Sequence, residues 1–180
     1  MTKVALERVF RVFTAQKPYP EDPISKVSWC VTFASPEEID RDGVRSVLCR
    51  MHAEGTQRMI AHAKALSGGA EPLVIVDGDL DIGVSGAVSL PKADLKVPCV
   101  SMASVLAKVS RDRVMVEASK KFPSYGFEKN VGYGARAHLK ALDDLGPCEI
   151  HRRSYEPIAT IVRRSETLPF NALFEGLEDE

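Results

Sequence analysis

The run Leu73-Val74-Ile75-Val76 is apolar without a break and stops at Asp77-Gly78-Asp79. A strand covered on one face alternates apolar and polar residues. A short continuous apolar run needs cover on both faces. The segment therefore predicts a central strand with other elements packed above and below it. Two further strands are predicted nearby. Ala87 to Leu90 leads into Pro91-Lys92-Ala93-Asp94, and Val27, Trp29, Val31 and Phe33 alternate with Lys26, Ser28, Cys30 and Thr32, the pattern of a strand with one buried face.

Helical patterns fill the spaces between. Ser35-Pro36-Glu37-Glu38 reads as a capping box with proline at the first helical position. The helix it opens should break at Asp42-Gly43 and then run to about Leu66. Val44, Val47, Leu48, Met51, Met59, Ile60 and Ala63 are expected to face inward, and Ser67-Gly68-Gly69 to end it. Pro98 to Lys121 and Ala135 to Leu145 are also predicted helices, the second closed by Gly146-Pro147. Ser124 to Gly134 reads as a glycine-rich loop. Near the start, Val4, Leu6, Val9, Phe10, Val12 and Phe13 give a helical period over residues 2–15, and three prolines make residues 17–23 a loop. Helices alternating with strands predict an α/β fold.

The 180 residues suit one domain with an appendage: residues 1–160 as the domain and 161–180 as an acidic C-terminal extension. A net charge of −1 excludes a uniformly basic nucleic-acid coat and an acidic disordered chain. No apolar run is long enough to span a membrane, and Met1 to Phe13 mixes charges among its apolar residues, unlike a secretory signal. Cys30, Cys49, Cys99 and Cys148 are widely spread with no C-x-x-C pair. Reduced thiols in a cytoplasm are therefore expected rather than a zinc site or disulfides.

Four features could carry chemistry. Asp77 follows a buried strand, where open α/β sheets place ligands, although Asp-Gly is also common turn chemistry. Asp94 lies at the next strand end. Two carboxylates there could share a hard divalent cation, or Asp94 could simply cap a local turn. Between Lys92 and Arg153, 12 Lys and Arg stand against 7 Asp and Glu. Such an excess suits a phosphate backbone, or an ordinary solvated helix face. The loop Tyr125-Gly126-Phe127 to Gly132-Tyr133-Gly134 could offer a tyrosine for stacking, or turn glycines beside core aromatics. His52, His62, His138 and His151 show no metal-ligand spacing. There is no nucleophile elbow, Walker loop or dinucleotide fingerprint.

Taken together, several segments resemble ribonuclease HII. They are Ala34-Ser35-Pro36-Glu37-Glu38-Ile39-Asp40, Val76-Asp77-Gly78, Lys92-Ala93-Asp94 and the stretch from Ser101 to Arg113. Tyr125-Gly126-Phe127, Gly132-Tyr133-Gly134 with His138-Leu139, and Gly146-Pro147 followed by His151-Arg152-Arg153-Ser154-Tyr155 continue the match. The resemblance implies a ribonuclease H-like mixed sheet flanked by helices, with a C-terminal helical part. It implies endonucleolytic cleavage of the RNA strand of RNA–DNA hybrids, and at ribonucleotides embedded in duplex DNA, leaving 5′-phosphate ends. A role in DNA replication and repair goes with that activity. It implies Mn²⁺ or Mg²⁺ held by four carboxylates in a two-metal displacement. Two of the four map to Asp77 and Asp94. Tyr133 would stack on the sugar beyond the ribonucleotide, and Lys92, Lys108 and Arg111 would neighbour phosphates. Asp112 is expected to support its helix through ion pairs. The acidic tail has two open roles, docking back on the domain or binding a partner such as a replication clamp.

The chain departs from the family in one large respect. The Asp-Glu-x-Gly-Arg-Gly motif, which supplies the other two carboxylates, does not occur in the 180 residues. Asn130-Val131 also stands where the family usually has His-Lys. Met1-Thr2-Lys3 is similar to the interior of the family's Asp-Ser-Lys-Lys-Met-Thr segment. The expectation is a reading frame that begins upstream; the rivals are a true truncation and an upstream half on another polypeptide. Without the first strands, the apolar faces of residues 73–76 and 27–33 would be uncovered, so the chain alone is expected to be poorly soluble or inactive. The alternatives to an enzyme are a catalytically inactive remnant that binds hybrid duplex, and a structural α/β domain.

Overall fold

The computed structural model describes residues 27–167. The helix expected over residues 2–15, the loop at 17–23 and most of the acidic extension lie outside the described residues. Described elements follow the order α1 (Pro36–Asp42), α2 (Val44–Ser67), β1 (Val74–Asp77), β2 (Ala87–Leu90), a 3₁₀ turn (Ala93–Leu95) and α3 (Pro98–Lys121). A 3₁₀ turn (Pro123–Tyr125), α4 (Phe127–Asn130), α5 (Arg136–Leu145) and α6 (Ile158–Thr167) complete them. The fold is mixed α/β, as expected. The chain divides into two compact units, one with described residues 27–34 and 44–114, the other with 35–43 and 115–167.

In the first unit, β1 and β2 pair in parallel, with Val74 opposite Ala87 and Asp77 opposite Leu90. Parallel neighbours usually need a crossover of about a dozen residues or more. Here residues 78–86 suffice, because local bonds fold the connection tightly. The Ser89 hydroxyl donates to the Leu80 carbonyl at 2.6 Å, and the Gly83 N–H to Asp81 Oδ1 at 2.9 Å. The Cys49 thiol of α2 donates to the Asp81 carbonyl at 3.2 Å, tying the connection to that helix. Helix α2 ends as predicted: Gly68, at φ 69°, lets the Gly69 N–H reach back to the Lys64 carbonyl at 2.8 Å.

Three expectations for this unit are corrected. Residues 27–33 form no strand. Their polar side faces α2 instead: Ser28 Oγ bonds His62 Nε2 at 2.7 Å, and the Cys30 thiol and Thr32 hydroxyl donate to the Gly55 and Met51 carbonyls. Period-two alternation shows only that a chain is extended; a strand also needs a ladder partner. Second, β1 is not buried on both faces. Val76 is buried, Val74 and Ile75 are half-buried, and Leu73 lies outside the strand at 75% exposure. Among the described residues its only ladder partner is β2. Third, of the positions expected to face inward on α2, Val47 is buried while Val44 and Leu48 are exposed.

The second unit has an aromatic interior. Tyr125, Phe127, Leu142 and Ile158 form its core, joined by Met115, Ala118, Phe122, Ile150, Ile161 and others. Phe127 stacks on Tyr125 with ring centroids 5.5 Å apart. The stretch 124–134 is therefore not simply a glycine-rich loop, since two short helical turns order it around these rings. The capping box at α1 is present in full: Glu38 N–H donates to Ser35 Oγ at 3.2 Å and Ser35 N–H to Glu38 Oε2 at 2.8 Å. Asp40 of α1 accepts from the Arg153 and Ser154 N–H groups at 2.7 and 2.9 Å, and from the Ser154 hydroxyl. Among the described residues no buried side-chain nitrogen or oxygen lacks a hydrogen-bond partner, and no helix is long and apolar enough to cross a membrane.

Candidate functional site

Asp77 is the last residue of β1, and its register partner Leu90 is the last of β2. Both strands therefore deliver their following residues to one end of the sheet, a consequence of parallel pairing. After Leu90 the chain turns through Pro91 and Lys92 into the short 3₁₀ turn that contains Asp94. The Ala93 N–H donates to Asp77 Oδ1 at 2.8 Å. Asp77 is thus bonded to the residue next to Asp94. Sequence spacing could not decide this: Asp77 and Asp94 are distant along the chain, and only strand pairing brings their segments together. Asp77 is exposed, Asp94 half-buried, and Ala93 between Lys92 and Asp94 is fully buried.

The basic candidates Lys92, Lys108 and Arg111 all lie in the first unit. Lys108 Nζ contacts Asp112 at 2.7 Å, one helical turn on, and Arg111 contacts the same carboxylate at 3.5 Å. Asp112 therefore supports α3 through ion pairs, as expected, and it also holds two of the proposed phosphate neighbours in place. Lys92 is exposed. Tyr133 belongs to the second unit, is 55% exposed, and donates its N–H to the Asn130 carbonyl at 2.9 Å. Val131, two residues before it, holds a left-handed conformation at φ 43°, strained for a β-branched side chain.

The buried pair His138 and His151 carries no spacing signal along the chain. Their rings stack with centroids 5.3 Å apart. His138 Nδ1 lies 3.2 Å from the Tyr125 carbonyl, which can only accept, so that nitrogen carries the proton. The Cys148 N–H donates to His151 Nδ1 at 3.0 Å, so a neutral His151 has its proton on Nε2, facing His138 Nε2 at 3.4 Å. The tautomers are mutually consistent along the whole chain of bonds. Burial pushes His151 below its ordinary value of 6.5, and the neighbouring His138 lowers it further. Burial also pushes the Cys148 thiol up. Cys148 Sγ lies 3.1 Å from His151 Nδ1, but these shifts favour thiol and neutral imidazole. A nucleophilic Cys–His pair needs the opposite polarisation. The cluster is scaffold.

The donor chemistry of Asp77 and Asp94, oxygen only, suits Mg²⁺ or Mn²⁺. One oxygen of Asp77 is engaged by Ala93, which leaves the other for a ligand. Among the described residues no group of three or more His, Cys, Asp and Glu could share an ion. The pair therefore fits part of a divalent-metal site rather than all of one.

Comparison with known proteins bears on the same residues. Residues 81–158 match the sequence model of the family described as Ribonuclease HII. The chain is 39% identical over 153 residues to a protein named Ribonuclease HII from Rhodococcus opacus, covering 84% of this chain and 64% of that protein. Over most of its length the chain is thus similar to ribonuclease HII proteins. A ribonuclease HII from Burkholderia thailandensis is 40% identical over 135 residues, 73% of this chain and 58% of its own length. One from Sulfurovum is 52% identical over 81 residues, 45% of this chain and 43% of its own length. The chain thus spans less than two thirds of each of these ribonuclease HII relatives. The matched stretch contains Lys92, Asp94, Lys108, Arg111 and Tyr133, while Asp77 lies just before it.

Proposed function

We propose that this chain forms part of a metal-dependent endoribonuclease. It would act on the RNA strand of RNA–DNA hybrids and at ribonucleotides embedded in duplex DNA, in a cytoplasmic role in replication and repair. The observation that supports the reading best is the bond from the Ala93 N–H to Asp77 Oδ1, which joins the segments of the two carboxylates at one end of a parallel strand pair. Asp77 and Asp94 are the residues that would hold Mn²⁺ or Mg²⁺. A divalent cation held there supplies positive charge against the scissile phosphate and makes water a stronger nucleophile at neutral pH. Asp77 and Asp94 would supply the carboxylate oxygens that hold it. Lys92, Lys108 and Arg111 contribute positive charge for the phosphate backbone, and Tyr133 offers a ring for the sugar. The full four-carboxylate set needs two donors beyond this pair.

The test is cleavage of a duplex carrying a single ribonucleotide, with the chain purified free of host ribonucleases. Mn²⁺-dependent products with 5′-phosphate ends, lost in both Asp77→Asn and Asp94→Asn, are expected if the remaining carboxylates are supplied. Cleavage that persists in both variants would sink the assignment. A second reading has its own support, since no three-residue metal group occurs among the described residues. In that reading the chain binds hybrid duplex without cutting it. Salt-sensitive binding with no metal-dependent cleavage would favour it.

A further inference from the structure

Lys92 holds a backbone conformation that its side chain disfavours. Its φ of 57° and ψ of 40° lie in the left-handed region. Among the described residues the only other non-glycine with positive φ is Val131. A residue with a Cβ persists there only when its surroundings over-determine it. The surroundings of Lys92 are well defined. Immediately after it, the Ala93 N–H meets Asp77 Oδ1 at 2.8 Å. The Lys92 carbonyl accepts from Leu95 N–H at 3.2 Å, and the Ala93 carbonyl accepts from Lys96 and Val97 at 3.0 and 2.8 Å. Ala93 is 0% exposed, so its methyl group is packed on every side.

One oxygen of Asp77 is therefore engaged by the main chain without any ligand, and Oδ2 is the oxygen left over. We propose that the left-handed turn at Lys92 is a positioning device: through the Ala93 N–H it fixes the Asp77 carboxylate and presents Oδ2 as a single donor at the sheet end that carries Asp94. This rests on the metal reading given above, and it gives Lys92 a main-chain role separate from any contact its ammonium makes with phosphate. The two roles respond differently to substitution. A charge role is lost equally in every neutral variant. A main-chain role separates neutral variants by their tolerance of the left-handed region, which glycine and asparagine visit readily and β-branched residues resist.

The experiment compares Lys92→Asn, Lys92→Gly and Lys92→Thr in the full chain, all lacking the same charge. Hydrogen exchange at the Ala93 amide is measured without metal, and Mn²⁺ affinity is then measured by titration. The Asn and Gly variants should keep amide protection and Mn²⁺ affinity within about twofold of each other, while Thr loses about tenfold in both. Where the Thr variant fails to fold, Lys92→Ala against Lys92→Gly makes the same comparison with a smaller difference. Equal exchange and equal affinity across the neutral variants would overturn the proposal. If exchange separates the variants but no form of the chain binds Mn²⁺, the positioning of Asp77 stands and the metal reading falls.

Discussion

The unit built on β1 and β2 and the unit built on Phe127 both bury apolar side chains, but they differ in what lies at the exposed end of each. In the second, the largest side chains leave water almost entirely: Phe127 is 1% exposed and Leu142 2%. In the first, Val47, Val76, Leu106 and Val109 are buried too, but Leu73 and Leu95 are 75% and 77% exposed, and two strands pair only with each other among the described residues. A lone two-stranded sheet is marginal in water. What fixes the carboxylate end of this unit is a set of main-chain hydrogen bonds to Asp77, Lys92 and Ala93. The lesson is that the scaffold of this chain depends on burial, whereas its candidate site depends on local backbone geometry.

Substitutions can break that contrast. The largest effect is expected from Phe127→Ala, which removes a ring packed against Tyr125, His138 and His151. Deleting a buried aromatic costs about 3–5 kcal/mol, read by urea unfolding. A loss under about 1 kcal/mol would mean that burial does not dominate there. Next is Ala93→Val. Adding methyl groups at a fully buried position costs about 1–3 kcal/mol and should shift the Ala93 bond to Asp77, visible as faster amide exchange near that residue. Trp29 is the sole tryptophan and lies in the first unit, so its fluorescence reports that unit separately from the tyrosines of the second.

Asp40→Ala is smaller, about 1 kcal/mol, because it removes the acceptor for Arg153 and Ser154 at a partly solvated position. Desolvation pushes the Asp40 carboxyl up, but hydrogen bonds from the Ser154 hydroxyl and the Ser154 and Arg153 N–H groups outweigh it, and the group sits below its ordinary 3.8. A carboxyl lowered in the folded state contributes stability above its unfolded value, lost as pH falls through the folded one. His151 acts in the same direction at higher pH. Its folded value lies below 6.5, so the unfolded state binds more protons as pH drops from 6.5 toward the folded value, and stability falls with it. Melting temperature against pH should show this decline in the wild type and a flatter curve in His151→Gln. Identical slopes would remove the histidine pair from the account. The smallest change is expected at Leu73→Ser, within about 0.5 kcal/mol, since the side chain is already in water. A larger loss would show that the Leu73 side chain is covered in solution.

Elements with strong local signals were legible in the sequence. Ser35-Pro36-Glu37-Glu38 carries its own hydrogen-bond partners, so the start of α1 needed no tertiary information. The break at Gly43 and the closure of α5 at Gly146 follow from the same kind of local chemistry. The segment 27–33 was not legible as it stands, because alternation specifies two faces but not which one is covered. The side chains of Ser28, Cys30 and Thr32 find their partners on α2, a choice made over long sequence separations. The His138–His151 pair was hidden for the same reason: a turn and a helix bring the rings together.

The sequence by itself determined the residue types on which function depends: Asp77 after an apolar run, Lys92-Ala93-Asp94, the basic excess and Tyr133, together with the family they resemble. Those are properties of composition and order, which the chain carries whether folded or not. The tertiary structure decided which of them meet. Parallel pairing set Asp77 beside the end of β2, and the left-handed turn at Lys92 aimed a main-chain N–H at the carboxylate. Hydrogen bonds between distant segments depend on register and backbone dihedrals, which no local spacing encodes.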